Sequence, residues 1–314
     1  MHFTKMHGLG NDYLYVYGEV PENIAEISRR LSDRHFGVGS DGMIYISPST
    51  QADFKMRIFN ADGSEGMMCG NGIRCVGKYV YDKGYTDKTN LTIETLSGIK
   101  TLRMQVLRGK VKEVTVDMGT AEAGKDIKLN LNGTKVFCTP VSVGNPHAVL
   151  FVDAIEEVPV AELGPVIEKD AVFPGGVNVE FVQVLSEQEL RMRVWERGSG
   201  ITMACGTGAC AAVAASIQKE YCHFRTPVSV RLDGGVLEIQ ITKDHSVTMS
   251  GPAETVFEEM CYDYSKHALC RPERFLLVLS YCAEDECLSG GKSGKTSVPH
   301  GDRRCLSAAL RCSH

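Results

Sequence analysis

Met67-Met68-Cys69-Gly70-Asn71-Gly72 and Met203-Ala204-Cys205-Gly206-Thr207-Gly208 are two versions of one phrase. Each runs into an apolar stretch, over 73–83 and 209–220, that reads as a helix. Upstream, Arg57-Ile58-Phe59-Asn60 and Arg193-Val194-Trp195-Glu196 each place an Arg twelve positions before the cysteine. Further back, Gly10-Asn11-Asp12-Tyr13-Leu14 echoes Gly144-Asn145-Pro146-His147-Ala148. The asparagines are offset by 134 positions and the cysteines by 136, so the landmarks recur in one order at nearly one spacing. This is an internal duplication with a unit of domain size.

At 314 residues and 43% hydrophobic, the chain can bury one large core or two of ordinary size, and the duplication selects two. The expected halves are 1–120, with Cys69, and 121–260, with Cys205. Residues 261–314 form an atypical tail that carries six of the twelve cysteines. Its stretch over 289–304, rich in Gly, Ser, Lys and Arg, lacks periodicity, cannot supply a core and is expected to be disordered. The net charge of −5, with no long basic stretch before the tail, gives nucleic acid no positive footprint to bind. The first residues hold no apolar signal region and no eighteen apolar residues run together, which argues against a membrane. A soluble cytoplasmic protein with a small-molecule partner follows, its cysteines reduced, because they sit in apolar or glycine-rich contexts rather than in a regular disulfide ladder. The sequence leaves a homodimer open.

Ile24, Ile27 and Leu31 share one face of a helix over 23–34. Alternating segments over 13–17, 43–46, 54–59, 91–95, 100–106 and 111–118 read as strands, and the second half repeats the theme over 141–143, 148–152, 179–184, 190–195, 228–232 and 236–242. Many short strands with one strongly apolar helix per repeat predict an α+β fold of two pseudo-symmetric domains, each a curved, mostly antiparallel sheet or barrel wrapped around a central helix.

An arbitrary cysteine is a small core hydrophobe, and Cys75, Cys138, Cys210 and Cys222 take that reading. Cys69 and Cys205 differ. Glycine follows each directly, and the helix start behind it offers unpaired amides and partial positive charge, a setting that lowers a thiol pKa and binds a carboxylate. Neither cysteine belongs to a Cys-x-x-Cys, so dithiol exchange is disfavoured. A single nucleophile explains one phrase and not its duplicate. Two acid/base groups facing one substrate carbon explain both: one thiolate removes the α-proton and the opposite thiol returns one to the other face, as racemisation requires.

The motifs Phe59-Asn60-Ala61-Asp62-Gly63-Ser64, Met68-Cys69-Gly70-Asn71-Gly72, Gly144-Asn145-Pro146-His147, Asn178-Val179-Glu180-Phe181, Trp195-Glu196-Arg197-Gly198 and Ala204-Cys205-Gly206-Thr207-Gly208, with Asn11, closely resemble the diaminopimelate epimerase family over residues 1 to about 259. The resemblance implies a cofactor-independent isomerase that interconverts LL- and meso-diaminopimelate on the route to lysine and peptidoglycan, built of two similar domains across a cleft. It makes Cys69 and Cys205 the acid/base pair, with Gly70, Asn71, Gly206 and Thr207 giving backbone donors to the reacting carboxylate. It assigns substrate recognition to Asn11, Asn60, Asn145, Asn178, Glu196 and Arg197, and an assisting role to His147 and Glu196. No metal is implied.

Taken singly, His147 reads as a hydrogen-bonded structural group, the asparagines as turn formers, Glu196 and Arg197 as surface charges, and Met67 and Met203 as core or cleft wall. Gly42 lies where some relatives carry a polar side chain reaching the site, so that contact is expected to be lost. Two rival readings remain at this stage: another two-thiol racemase, acting for instance on proline or hydroxyproline, and a non-catalytic thiol or zinc-binding module.

Overall fold

The computed structural model describes residues 1–131 and 134–260. The tail over 261–314 lies outside the described residues. The first run of elements is β1 (His2–Gly8), β2 (Asn11–Tyr17), α1 (Ile24–Ser32), β3 (Gly42–Pro48), β4 (Phe54–Asn60), β5 (Glu65–Gly66), α2 (Gly70–Asp82), β6 (Asn90–Thr95), β7 (Gly98–Leu107) and β8 (Lys110–Thr120). A second run repeats it: β9 (Glu122–Ala123), β10 (Ile127–Leu131), β11 (Thr134–Ser142), β12 (Pro146–Phe151), α3 (Val160–Glu168), β13 (Asn178–Ser186), β14 (Glu189–Glu196), β15 (Gly200–Ile201), α4 (Gly206–Gln218), β16 (Val228–Leu232), β17 (Gly235–Ile241), β18 (Ser246–Pro252) and β19 (Glu254–Met260).

Parallel pairing occurs where a helix intervenes: β2 with β3 across α1, β4 with β6 across α2, β12 with β13 across α3, and β14 with β16 across α4. A parallel partner cannot be reached by a tight turn, so each helix is a crossover. The remaining pairs are antiparallel, in agreement with the predicted α+β class. β8 and β18 pair antiparallel with each other, joining the two runs. Beyond that seam β9 pairs with β11 within the second run, and β19 returns to pair with β1 of the first.

The two helices that follow the cysteines occupy the middle of the core. Asn71 to Val80 of α2 are all buried, as are Gly206 and Gly208 to Ser216 of α4. The sequence of α4, Gly-Thr-Gly-Ala-Cys-Ala-Ala-Val-Ala-Ala-Ser, is small and apolar on every side, which suits a helix enclosed by sheet rather than one lying on it. Ile73, Val76 and Val80 of α2 share one continuous cluster with Ala209, Val213 and Ala215 of α4. The expected face of α1 is present, with Ile24, Ile27 and Leu31 packed beside Phe3, Leu14, Met43 and Phe59.

The alternation and periodicity of the sequence do not mark β1, β18, β19 or α3. The helix α3 is short and holds Pro165, and it is fixed by a tertiary contact: a Cβ on Gly164 would stand 2.4 Å from Trp195 Cγ. Gly42 requires a correction. It opens β3 at φ +154°, and a Cβ there would lie 2.2 Å from Phe59 O and 2.9 Å from Asn60 Cα, so the backbone itself fills the space and leaves no gap from a missing contact. Gly42→Ala is expected to lower stability by about 1–3 kcal/mol, the scale of an overpacked core position. Urea unfolding measures it, and an unchanged midpoint would refute the crowding.

Candidate active site

Cys69 and Cys205 are the N-caps of α2 and α4. In each case the sulfur occupies the place usually taken by a Ser or Asp oxygen: Gly72 N donates to Cys69 Sγ at 3.3 Å, and Gly208 N to Cys205 Sγ at 3.4 Å. The amides before them, of Gly70 and Asn71 and of Gly206 and Thr207, belong to the first helical turn, where no carbonyl four residues earlier accepts.

The helix starts meet. A Cβ on Gly206 would stand 3.9 Å from Gly70 Cα and 2.9 Å from Met249 Sδ, and one on Gly70 would stand 3.2 Å from Met249 Cε and 3.5 Å from Met118 Cε. Asn71 crosses the junction and donates from Nδ2 to Ala204 O at 2.9 Å, directly beside Cys205. Side chains at Gly70 and Gly206 would press first on Met249, the thioether packed against both.

Asn11 touches Cys69, with Sγ to Oδ1 at 3.2 Å, and is oriented by donating from Nδ2 to Asp41 Oδ2 at 2.7 Å. Asp41 in turn pairs with Arg34, which also holds Asp12. Around Cys205 the arrangement is denser. Thr207 Oγ1 lies 3.6 Å from the sulfur, and Asn145 Nδ2 lies 3.3 Å from Thr207 Oγ1. Asn145 Oδ1 is 3.0 Å from His147 Nε2, whose other ring nitrogen pairs with Glu180 Oε1 at 2.7 Å. His147 and Glu180 are fully enclosed, and Glu180 Oε2 has no hydrogen-bond partner among the described residues.

Glu196 accepts from Thr202 Oγ1. Its charge opposes a thiolate at Cys205 and at Cys69. Asn178 donates to Pro146 O at 3.2 Å and accepts the backbone N–H of Arg197 at 2.9 Å, while the exposed Arg197 guanidinium donates to Gly175 O. Asn60 turns toward Ser64 rather than toward either thiol, its Nδ2 donating to Ser64 Oγ at 3.0 Å. Met67 and Met203 are 60% and 51% exposed, which removes them from the core.

Ionisation departs from the expectation drawn from helix starts. Burial pushes both thiols above their ordinary range, Cys205 the further. The amide hydrogens of Gly72 and Gly208 work downward but do not win. Burial also raises the carboxyl of Glu196. At a buried thiol, desolvation of the anion exceeds what a helix start returns. The other described cysteines, Cys75, Cys138, Cys210 and Cys222, are buried free thiols, in agreement with their reading as small core hydrophobes.

Sequence patterns did not single out Asp41 or Arg74, and they placed Glu180 only within a motif. A signal for Glu180 is present, since an acidic residue between Val179 and Phe181 interrupts an apolar run. Arg74 falls on the apolar face of α2 and is entirely buried.

The family profile described as diaminopimelate epimerase matches residues 3–123 and 139–256. The chain belongs to the diaminopimelate epimerase family. Curated diaminopimelate epimerases similar to it include that of Methanococcus maripaludis strain C5, 51% identical over 275 residues, covering 82% of this chain and 98% of the relative. That of Bacillus subtilis strain 168 is 50% identical over 274 residues, covering 82% and 96%. Among solved structures, a PhzF-family phenazine biosynthesis protein of Bacillus anthracis superposes with a TM-score of 0.69 at 17% identity, covering 84% of this chain and 99% of that one. A probable proline racemase of Agrobacterium radiobacter K84 gives 0.64 at 16%, covering 83% and 92%. At that identity the likeness is one of fold. Among the described residues, no group of three or more His, Cys, Asp or Glu is set to hold a metal ion, and no helix is long and apolar enough to cross a membrane.

Removing Glu180 leaves the enclosed His147 Nδ1 without its partner. Glu180→Ala is therefore expected to cost about 1–3 kcal/mol in urea unfolding, the penalty of a buried orphaned polar group. A stability equal to wild type would show that the pair is not a support of the Cys205 side.

Proposed function

We propose that this enzyme interconverts LL- and meso-2,6-diaminopimelate by proton transfer between two thiols, Cys69 and Cys205, without a cofactor. The observation that carries the reading is that the two cysteine-capped helix starts lie against one another at Gly70 and Gly206. Membership of the diaminopimelate epimerase family supplies the substrate. The halves 1–120 and 121–260 each contribute one thiol.

One cysteine enters as thiolate and the other as thiol. The thiolate takes the α-proton, the C–H bond breaks, and its electron pair moves into the adjoining carboxylate. The opposite S–H then gives its proton to the other face of the carbon, and the roles of the two sulfurs are exchanged. Charge that develops on the carboxylate faces the open first-turn amides of Gly70, Asn71, Gly206 and Thr207, which are fixed before the reaction begins. Asn11 bears on the Cys69 thiol. Thr207, Asn145 and His147 form a polar chain behind Cys205, and Glu196 adjoins both thiols.

The distal end of diaminopimelate carries its own ammonium and carboxylate. Arg197, exposed beside Asn178, is the group able to take that carboxylate by a paired contact, with Asn60 and Asn178 as further polar partners. Proline and hydroxyproline have no such end, so their racemisation leaves Arg197 without a role.

With LL-diaminopimelate in deuterated water, and neither pyridoxal phosphate nor metal added, solvent deuterium is expected at the α-carbon as the meso isomer appears. Cys69→Ala and Cys205→Ala should each abolish that isomerisation with the fold retained by circular dichroism. Full turnover in either variant would sink the two-thiol reading. Arg197→Met is expected to raise KM for diaminopimelate by about tenfold or more, the scale of a lost charge-assisted contact. A proline racemase activity indifferent to Arg197 would point to the other substrate class.

A further inference from the structure

The duplication allows the two half-sites to be laid over one another residue by residue. The offset of 136 carries Cys69 to Cys205, Gly72 to Gly208, Asn60 to Glu196, Ile44 to Glu180 and Arg74 to Cys210. Strand register agrees: Tyr13 lies opposite Gly42 as His147 lies opposite Asn178. Packing agrees as well, because a Cβ on Gly72 would meet Ile44 Cδ1 at 2.7 Å and one on Gly208 would meet Glu180 Oε1 at 2.7 Å.

The overlay is symmetric in shape and unsymmetric in charge. Where the second half has His147, Glu180 and Glu196, the equivalent positions of the first hold the uncharged Tyr13, Ile44 and Asn60. Where the first half buries the guanidinium of Arg74, the second has the neutral Cys210. Arg74 is 0% exposed. Its Nε donates to Pro252 O at 3.1 Å, its Nη1 to Gly70 O at 3.2 Å and, at 3.9 Å, to Met249 Sδ, the thioether under both helix starts. Among the described residues Nη2 has no partner, and none of the contacts of the guanidinium is a carboxylate. A wholly buried cation without a counter-ion is costly, and an anion in its neighbourhood offsets that cost.

We propose that Cys69 is the thiol of the pair that ionises first, favoured by Arg74, while Cys205 keeps its proton as the acid. The inference depends on the two-thiol reading above and names its starting state. Arg74 acts through Cys69 and through the seam at Gly70, and is a positioning residue. The groups that face Cys69 are Glu196 from β14, Tyr13 and Tyr15 from β2, and Arg74 and Cys75 from α2. Those that face Cys205 are Glu196 from β14, Glu180 from β13 and Thr207 from α4, with His147 behind. Two carboxylates therefore oppose a thiolate at Cys205, against one carboxylate and one cation at Cys69. The free enzyme is then prepared to take a proton from one face of the α-carbon, and the opposite direction waits for the proton to change sulfurs.

The test is alkylation of the native full chain by iodoacetamide across the pH range in which thiols titrate, with each cysteine followed by peptide mass mapping. The midpoint for Cys69 is expected to lie below that for Cys205 by about one unit or more, the usual effect of a nearby opposite charge. Arg74→Met should raise the Cys69 midpoint by about one unit, Arg74→Lys should largely hold it, and Glu180→Gln should lower the Cys205 midpoint. Equal midpoints in the wild type, or a lower one for Cys205, would overturn the inference. So would a folded Arg74→Met whose Cys69 profile is unmoved, since a purely structural arginine predicts that result. Should Arg74→Met not fold, the wild-type profiles and Glu180→Gln still decide. No substrate enters the measurement, so an enzyme that exchanges the α-proton but whose thiols titrate alike refutes this inference and leaves the epimerase reading standing.

Discussion

The two cysteine-capped helix starts lie side by side at Gly70 and Gly206, and the Met249 side chain packs against both glycines. Everything else about the site follows from the approach. Because a cysteine caps each helix, closing the two helix starts together brings two sulfurs to one space. The first-turn amides of both helices belong to the same junction, although they come from two parts of the chain.

The surroundings of that space set two demands against each other. A dry enclosure strengthens the hydrogen bonds that steady a developing carbanion, and it also makes a thiolate harder to form. The rise of both thiols above their ordinary range shows that burial prevails over the helix starts. The unsatisfied Nη2 of Arg74 and Oε2 of Glu180 belong to the same tension. They differ in their partners: the guanidinium has no carboxylate among its contacts, whereas Glu180 is hydrogen-bonded to His147.

Much of this is legible in the order of the residues alone. The repeated phrase discloses the duplication, the glycine after each cysteine marks the helix start, and the apolar run behind it marks the central helix. The crossovers that follow the cysteines, α2 and α4, fall where the sequence places them. What stays hidden has a common cause. β1 and β19 lack sustained alternation because they pair with each other across the whole chain, and partners supplied from far along the chain shape their burial. The helix α3, interrupted by Pro165, depends on Trp195 across Gly164. Gly42 reads as an absent contact, whereas its neighbours Phe59 and Asn60 leave it no room for one.

By itself the sequence determined that there are two thiols, that each begins a buried helix, and that the family is that of the diaminopimelate epimerases. Those are local or repeated patterns, carried by neighbouring residues and by spacing. Only the tertiary structure decided that the two helix starts touch, that Glu196 bears on both sulfurs, and that the halves differ in charge, with Arg74 on one side and Glu180 on the other. Such facts depend on groups distant in sequence sharing one desolvated space, where the energy of a charge is set by what surrounds it.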